Sequence, residues 1–504
     1  MANRQPQHSE QKSSTKVTRR GLLKGTGFAL AASALPLKAI TQTEAPGATS
    51  PPAVSVIQEL SAYMSSAGDR PLPEEALEKA KHHILDTIAA MISGADLPPA
   101  KVAFSFAGAQ SGQKTATVVG SSLLCGPLEA AIANGMLAHS DETDDSHAPS
   151  HSHPGCSVVP AALASGEYFG ISGARFLRAV ALGYDIGSRV TMTLGGFQYQ
   201  MQSHRSNHCI AGNFGSAAAA GCAAGLNAQQ MRWLLDYAAQ QASGVAAWQR
   251  DTQHIEKSFV FAGMPARNGV TAALLIHSGG TGVEDIFSGP DNFLLAFSPS
   301  ANPTGLIDKL GSRYEVTRTN IKKWTVGSPI QAPLDALENL RKRHPFEADE
   351  VQKLDVRMAN SEAHTVNNRE MPDICLQHMM AVMLVDKNAS FRAAHDKARM
   401  QDPVILRQRA KVQLVPDEQL ERLYPKRVAV LELTLKDGTH LTERVEAVRG
   451  TVENPMTRDE VVQKARDLLA TFLDSAKCTA LIDAVLNLDH KEDIRSLRPL
   501  LQRS

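Results

Sequence analysis

Between Gly212 and Gly225 the chain reads Gly-Asn-Phe-Gly-Ser-Ala-Ala-Ala-Ala-Gly-Cys-Ala-Ala-Gly, and this stretch constrains the fold most. A helix that is small on every side lets its neighbours approach closely and belongs in the middle of a helical bundle. The pattern predicts a buried helix over 215–225. Apolar residues at helical spacing predict further helices over 73–92, 100–109, 128–138, 157–169, 174–190 and 228–244. The first has a start signal in Pro73-Glu74-Glu75. Short loops between them imply antiparallel neighbours.

After about residue 310 the pattern changes. Residues 353–358 alternate, Arg427–Leu435 is strongly β-like, and Asp437-Gly438 is a hairpin signal leading into 440–445. Helices are predicted at 332–343 and 375–386. This is an α+β pattern rather than an alternating βαβ series. Thr457 and Glu460 have capping-box spacing before a helix from Arg458, and the C-terminal region returns to helix. The expected organisation is a leader and linker over 1–50, a helical part over 51–305, an α+β part over 306–450, and a helical return over 451–504 that packs on the first part.

The 504 residues carry 52 basic and 52 acidic side chains, for a net charge of zero. A balanced chain has no global field with which to hold nucleic acid or an anionic membrane, so nucleic-acid binding is excluded as a class. Any anionic ligand must be held by locally placed cations. Six cysteines with no C-x-x-C pair are expected to be scattered buried thiols. Thr18-Arg19-Arg20-Gly21-Leu22-Leu23-Lys24, an apolar run from Gly25 to Leu37 and a Pro/Thr/Ser-rich spacer resemble a twin-arginine signal. The run is shorter than the ~20 residues of a spanning helix. This implies the twin-arginine export machinery as a partner and a periplasmic location. No other segment is expected to cross a membrane.

The densest polar cluster is the loop from His139 to Gly155, with four carboxylates and four histidines between two small-residue helices. Desolvating so many titratable groups is costly, so such a run is either solvated or a site. A metal site is an alternative, although no H-E-x-x-H helix or fixed Cys/His spacing supports one. His153-Pro154-Gly155 precedes a helix whose N-terminal N–H groups suit a carboxylate. His153, with Glu142 and Ser146 on the same loop, is placed for proton transfer to a carbon acid.

Ala133-Asn134-Gly135, His139, Asp144-Asp145, His153-Pro154-Gly155 and Val159–Ala164 together resemble the signature of the MmgE/PrpD (2-methylcitrate dehydratase/cis-aconitate decarboxylase) family. Gly212–Ala220, Gln241–Gly244, Lys257–Phe259, Gly263–Val270, Pro425–Leu435 and Glu453–Thr457 follow in the family's order. The similarity covers about residues 55 to 500. It implies a mainly α fold, in which a large all-helical domain formed by both ends of the chain carries an inserted α+β lid. It also implies a homodimer and cofactor-free lyase or isomerase chemistry on a small di- or tricarboxylate. Dehydration by a hydro-lyase comes first, with decarboxylation and epimerisation as alternatives. By position, the resemblance puts catalytic roles on His153, Glu142 and Ser146 and carboxylate binding on Lys257 and Lys322, with Lys323 as the alternative. Asp145 and Arg267 join the substrate-binding set. A second family histidine aligns with Ser206, flanked by His204 and His208. Two lysines from different domains would clamp a polycarboxylate as the lid closes. Two other classes stay open: a non-catalytic periplasmic carboxylate-binding protein and a metal-dependent enzyme using the histidine loop.

Overall fold

A computed structural model describes residues 55–110 and 112–503. The twin-arginine-like segment lies outside the described residues. The chain is mainly helical. The predicted small-residue helix forms but starts earlier, at Asn207, and runs to Ala224. It packs against Gly173–Leu194, Gly155–Phe169 and the composite helix Ile255–His277. Glycines make these approaches close. A Cβ on Gly215 would sit 2.6 Å from the carbonyl oxygen of Gly183, and one on Gly183 would sit 2.8 Å from that of Gly215.

Ile255–His277 contains a π-helical turn, Phe259–Gly263. Pro127–Ala138 crosses that turn so tightly that a Cβ on Gly135 would lie 2.8 Å from the Ala262 carbonyl. By length and composition alone, Ile255–His277 is long and apolar enough to cross a membrane, contrary to expectation. Yet 67% of its most apolar window is buried inside the fold, which is how a core helix passes that test.

The helical part is not purely helical. A two-residue antiparallel pair, β1 (Ala116–Thr117) and β2 (Leu124–Cys125), edges it. The second part carries one four-stranded sheet formed by β3 (Val351–Ala359), β4 (Val412–Asp417), β5 (Ala429–Leu435) and β6 (His440–Val445), in the order β4-β3-β5-β6. The Asp437-Gly438 turn joins β5 to β6, pairing Thr434 with His440, and Gly438 takes the positive φ (89°) that such a turn requires. The strand β4 was not anticipated and pairs parallel with β3.

Buried apolar side chains form two clusters. One gathers residues from Ile57 to Ile321 with Met456 to Leu501, and the other runs from Trp324 to Val448. Leu306, Tyr314, Val316 and Ile321 belong to the first cluster, so the change falls after Ile321 rather than at residue 306. Phe391, from the second stretch of sequence, also inserts into the first cluster. The C-terminal helix Arg458–Leu469 opens with the expected capping box at Thr457 and Glu460 and packs on Glu74–Ser93. There Lys464 meets Asp86 at 2.6 Å, both buried. All six cysteines are buried and free.

The glycine contacts yield a paired prediction. Gly215→Ala should lower the unfolding free energy by about 1–2 kcal/mol, because overpacking outweighs the roughly 1 kcal/mol that helix propensity favours alanine. Gly108 lies on an exposed helical face with its nearest neighbour 3.9 Å from an added Cβ, so Gly108→Ala should stabilise by about 0.5–1 kcal/mol. Urea denaturation of both variants provides the comparison.

Candidate active site

The loop between the helices Pro127–Ala138 and Gly155–Phe169 is almost entirely buried. Its centre is Asp144, whose side chain has no solvent exposure. One oxygen lies 2.9 Å from His139 Nδ1 and accepts a hydrogen bond from His153 Nδ1 at 3.1 Å, and the other lies 3.5 Å from Lys322 Nζ. Burial opposes the Asp144 charge, but these cationic and donor neighbours hold its carboxyl well below the usual range. Since a carboxylate only accepts, His153 carries its proton on Nδ1 and leaves Nε2 free. The His153 side chain is 11% exposed. Burial pushes it below its ordinary 6.5, although Asp144 pulls the other way, so it is neutral at pH 7.

Glu142 forms a second buried carboxylate site. Lys257 Nζ pairs with its Oε1, Lys322 Nζ donates to its backbone carbonyl at 2.6 Å, and His254 Nε2 stands 3.9 Å away. Burial raises the Glu142 carboxyl, but Lys257 and Lys322 more than offset this and hold it well below normal. The donor atoms of His139, Glu142 and His254 lie within 4.8 Å of one another, as do those of His139, Asp144 and Cys156. Both sets have ligand chemistry suited to a cation, but the ammonium groups already beside Glu142 and Asp144 repel one.

Five imidazoles run in file with centroid spacings of 5.0–5.3 Å: His254, His139, His153, His208 and His151. Phe261, from the π-turn, stacks on His208 at 3.9 Å and on His139 at 4.5 Å. The file ends at a cleft of about 400 Å³. Ser146, His151, His153 and His208 line one wall, and Tyr424, Arg427 and Val448 line the other. Ser146 is held there by a two-way backbone bridge to Asn320, at 3.0 and 2.8 Å.

The structure therefore brings Glu142, His153, His208, Lys257 and Lys322 together, with Ser146 at the cleft. It corrects several sequence expectations. Asp145 points away from the cleft. It accepts from Gly155 N (2.9 Å) and Tyr184 Oη (2.5 Å) and lies 2.8 Å from His83. The N-terminus of Gly155–Phe169 thus already holds a carboxylate from its own chain and is not a substrate site. His204 is exposed in the left-handed conformation at the end of Gly196–Ser203. Ser206 is buried as the N-cap of Asn207–Ala224, accepting from Cys209 N. Arg267 is exposed, and Lys323 pairs with Glu338 at 2.6 Å, outside the cleft. Of the two candidate lysines, Lys322 is the one at the site.

Asp144, His139, His254, His151 and Arg427 carry no role in the sequence reading. His254 had a usable signal, since it lies three residues before Lys257. So did Asp144, as the other half of an Asp-Asp pair. Asp141 also escaped notice. It lies 2.9 Å from His395, from the second stretch of sequence, and its two oxygens accept from Thr143 N and Oγ1.

Residues 58–305 match the MmgE/PrpD N-terminal domain and residues 324–490 the MmgE/PrpD C-terminal domain. A cis-aconitate decarboxylase of Aspergillus terreus is 26% identical over 491 residues, covering 88% of this chain and 96% of the relative. The human cis-aconitate decarboxylase is 26% identical, with 86% and 91% covered. A cis-aconitate decarboxylase-like protein, oryM, of Aspergillus oryzae is 24% identical, with 90% and 98% covered.

The buried histidines have a measurable consequence. Burial pushes His151 to about 3 and His82 and His378 to about 4, and it also lowers His147, His153, His208 and His254. Each stays neutral in the fold while the unfolded chain protonates near 6.5. Their stabilisation is therefore intact above about 6.5 and is lost as pH falls below it. His395 has the opposite sign. Burial opposes its charge, but Asp141 raises it to about 9, so its contribution is lost as pH rises from 6.5 toward 9. Because the lowered histidines dominate, the unfolding free energy from urea titrations should fall between pH 6.5 and 4. The expected slope is about 1.4 kcal/mol per pH unit for each net proton. A flat profile there would contradict the neutral imidazoles.

The two domain matches span most of the chain in the family's order, and the chain belongs to the MmgE/PrpD family.

Proposed function

We propose that the protein is a lyase acting on a small carboxylate, with His153 moving a proton at the carbon next to the carboxylate. One observation carries this reading. A neutral imidazole has its Nδ1–H fixed on the buried Asp144 and lines a ligand-sized cleft, within the ~300–1,000 Å³ typical of small-molecule sites. The free enzyme presents a base. When an anion enters the cleft, its charge raises the affinity of His153 for a proton, so the same group then serves as an acid. In decarboxylation the bond to the departing carbon dioxide breaks, its electron pair stays on carbon, and the imidazolium proton goes to the carbon skeleton. The relatives named as cis-aconitate decarboxylases support this reaction over the dehydration that the resemblance first suggested. Phe261 and its stacked histidines shield the proton-transfer group from bulk water.

On this reading the part carrying Trp324–Val448 acts as the lid over the cleft. The His395–Asp141 pair and the Ser146–Asn320 bridge are its contacts with the histidine loop. A homodimer and export by the twin-arginine-like segment are further parts of the proposal. The family resemblance supports the first and the Thr18–Leu37 pattern the second.

Turnover of cis-aconitate and other small carboxylates in deuterium oxide, followed by NMR, tests the proposal. Carbon-bound deuterium in the product is the expected result. His153→Ala should lower kcat about a hundredfold or more, and unchanged turnover would remove His153 from the mechanism. A carboxylate that binds without exchange or turnover would point to a binding protein instead. Because decarboxylation needs the imidazolium while the free enzyme holds His153 neutral, the alkaline limb of kcat/KM should begin below 6.5. In Asp144→Asn it should move to still lower pH, because the carboxylate that raises His153 is gone.

A further inference from the structure

The histidine loop and the Trp324–Val448 stretch share one ion pair among the described residues, His395 with Asp141. His395 closes the short helix Phe391–His395, which starts at the Ser390 cap. The same helix sends Phe391 into the first apolar cluster, and the Phe391 ring stacks on His395 at 4.1 Å. An apolar anchor and an ionic one thus sit four residues apart on one helical face.

Both ring nitrogens of His395 face oxygens that only accept. Nδ1 lies 2.7 Å from the Phe391 carbonyl oxygen, and Nε2 lies 2.9 Å from Asp141 Oδ2. A neutral ring has one bare nitrogen, whose lone pair would then point at an oxygen, so the arrangement selects the doubly protonated imidazolium. Asp373, from the turn Pro372–Ile374, is a second carboxylate facing the ring. Burial opposes the charge of His395, but Asp141 and Asp373 outweigh it and hold the ring at about 9. Burial likewise raises the Asp141 carboxyl, and His395 with Thr143 more than offsets this. Burial pushes Asp373 up to about 6, against the pull of His395. Glu142, Lys257 and His254 complete the charged surroundings of the pair. The His395 side chain is 14% exposed, so its proton exchanges with solvent.

Asp141 also shapes the loop. Its Oδ1 accepts from Thr143 N at 2.9 Å and its Oδ2 from Thr143 Oγ1 at 2.6 Å. This side-chain turn spans Glu142, which Lys257 and Lys322 meet through its carboxylate and its carbonyl.

We infer that His395 is a positioning residue: its imidazolium pins the Asp141–Thr143 turn, and Glu142 within it, to the Trp324–Val448 part, and loss of the ring's proton at alkaline pH frees the loop. This role rests on the reading of Trp324–Val448 as a lid and is independent of the reaction in the cleft.

Histidine ¹⁵N spectra and hydrogen exchange of the full chain test it without substrate. The His395 ring, assigned by comparison with His395→Gln, should be doubly protonated at pH 7 and lose one proton near 9. A singly protonated ring at pH 7 would overturn the inference. In the wild type, protection of the amides of 139–147, corrected for the intrinsic exchange rate, should fall about tenfold between pH 7 and 10. His395→Gln should show that loss already at pH 7 and little more at pH 10, while the helix Asn207–Ala224 keeps its protection. Unchanged loop protection in His395→Gln, or the same alkaline loss in variant and wild type, would overturn the role. So would an equal loss in the central helix, which marks a merely structural residue. If His395→Gln does not fold, Asp141→Asn carries the test: the His395 ring should then be singly protonated at pH 7 and the loop unprotected. Assays with cis-aconitate separate this role from the proposed reaction. The predicted loop response without turnover removes the lyase and keeps the role, and turnover with an unresponsive loop does the reverse.

Discussion

A fully buried carboxylate, Asp144, organises this molecule. An ionised carboxyl taken out of water costs several kcal/mol unless partners replace its hydration. Here His153 donates a hydrogen bond, and His139 from the same loop and Lys322 from far along the chain stand 2.9 and 3.5 Å away. That requirement fixes the histidine loop in one conformation. It also sets the tautomer of His153 and draws the first residues beyond Ile321 onto the helical core. A loop this polar does not bury itself for packing reasons, because its own apolar side chains are few and its polar ones are costly to desolvate.

The loop joins parts of the chain that are remote in sequence. Lys464, near the C-terminus, donates to the Thr143 carbonyl and pairs with Asp86. Asn320 bridges to Ser146, and His395 reaches Asp141. Tyr184, His83 and Gly155 together satisfy Asp145. Two adjacent aspartates thus have unlike tasks. Asp145 fastens helices to one another, and Asp144 orients His153 at the cleft. The π-turn adds to this arrangement. By shifting the register of Ile255–His277, it sets Phe261 against two imidazoles while Lys257, one turn earlier, meets Glu142.

Much of this was legible in the sequence where short-range physics decides. The small-residue stripe announced the central helices, and Asp437-Gly438 announced the hairpin. Thr457 and Glu460 announced a cap that the structure contains. Long-range pairing was not legible. Nothing near Glu142 in sequence shows that an ammonium 115 positions away pairs with it, so the sequence reads Lys257 as a substrate ligand and is silent on its contact with Glu142. Neighbours such as Asp144 and Asp145 cannot be told apart until the backbone direction is known. The strand Val412–Asp417 carries Pro416, which a strand tolerates at a sheet edge, where this one lies. The central helix starts at Asn207, ahead of the small-residue stripe that predicts it from Gly215, although Asn207-His208-Cys209 are poor helix formers. The Ser206 cap and burial overrode that preference.

The proposed proton transfer stands on the protonation state of one ring. Selective ¹⁵N labelling of histidine, with the His153 signals assigned by comparison with His153→Ala, reads that state directly at pH 7. A neutral imidazole with its proton on Nδ1 and an unprotonated Nε2 is predicted. A doubly protonated ring at pH 7, or a proton on Nε2 with Nδ1 bare, would contradict the Asp144–His153 arrangement and the proton transfer built on it.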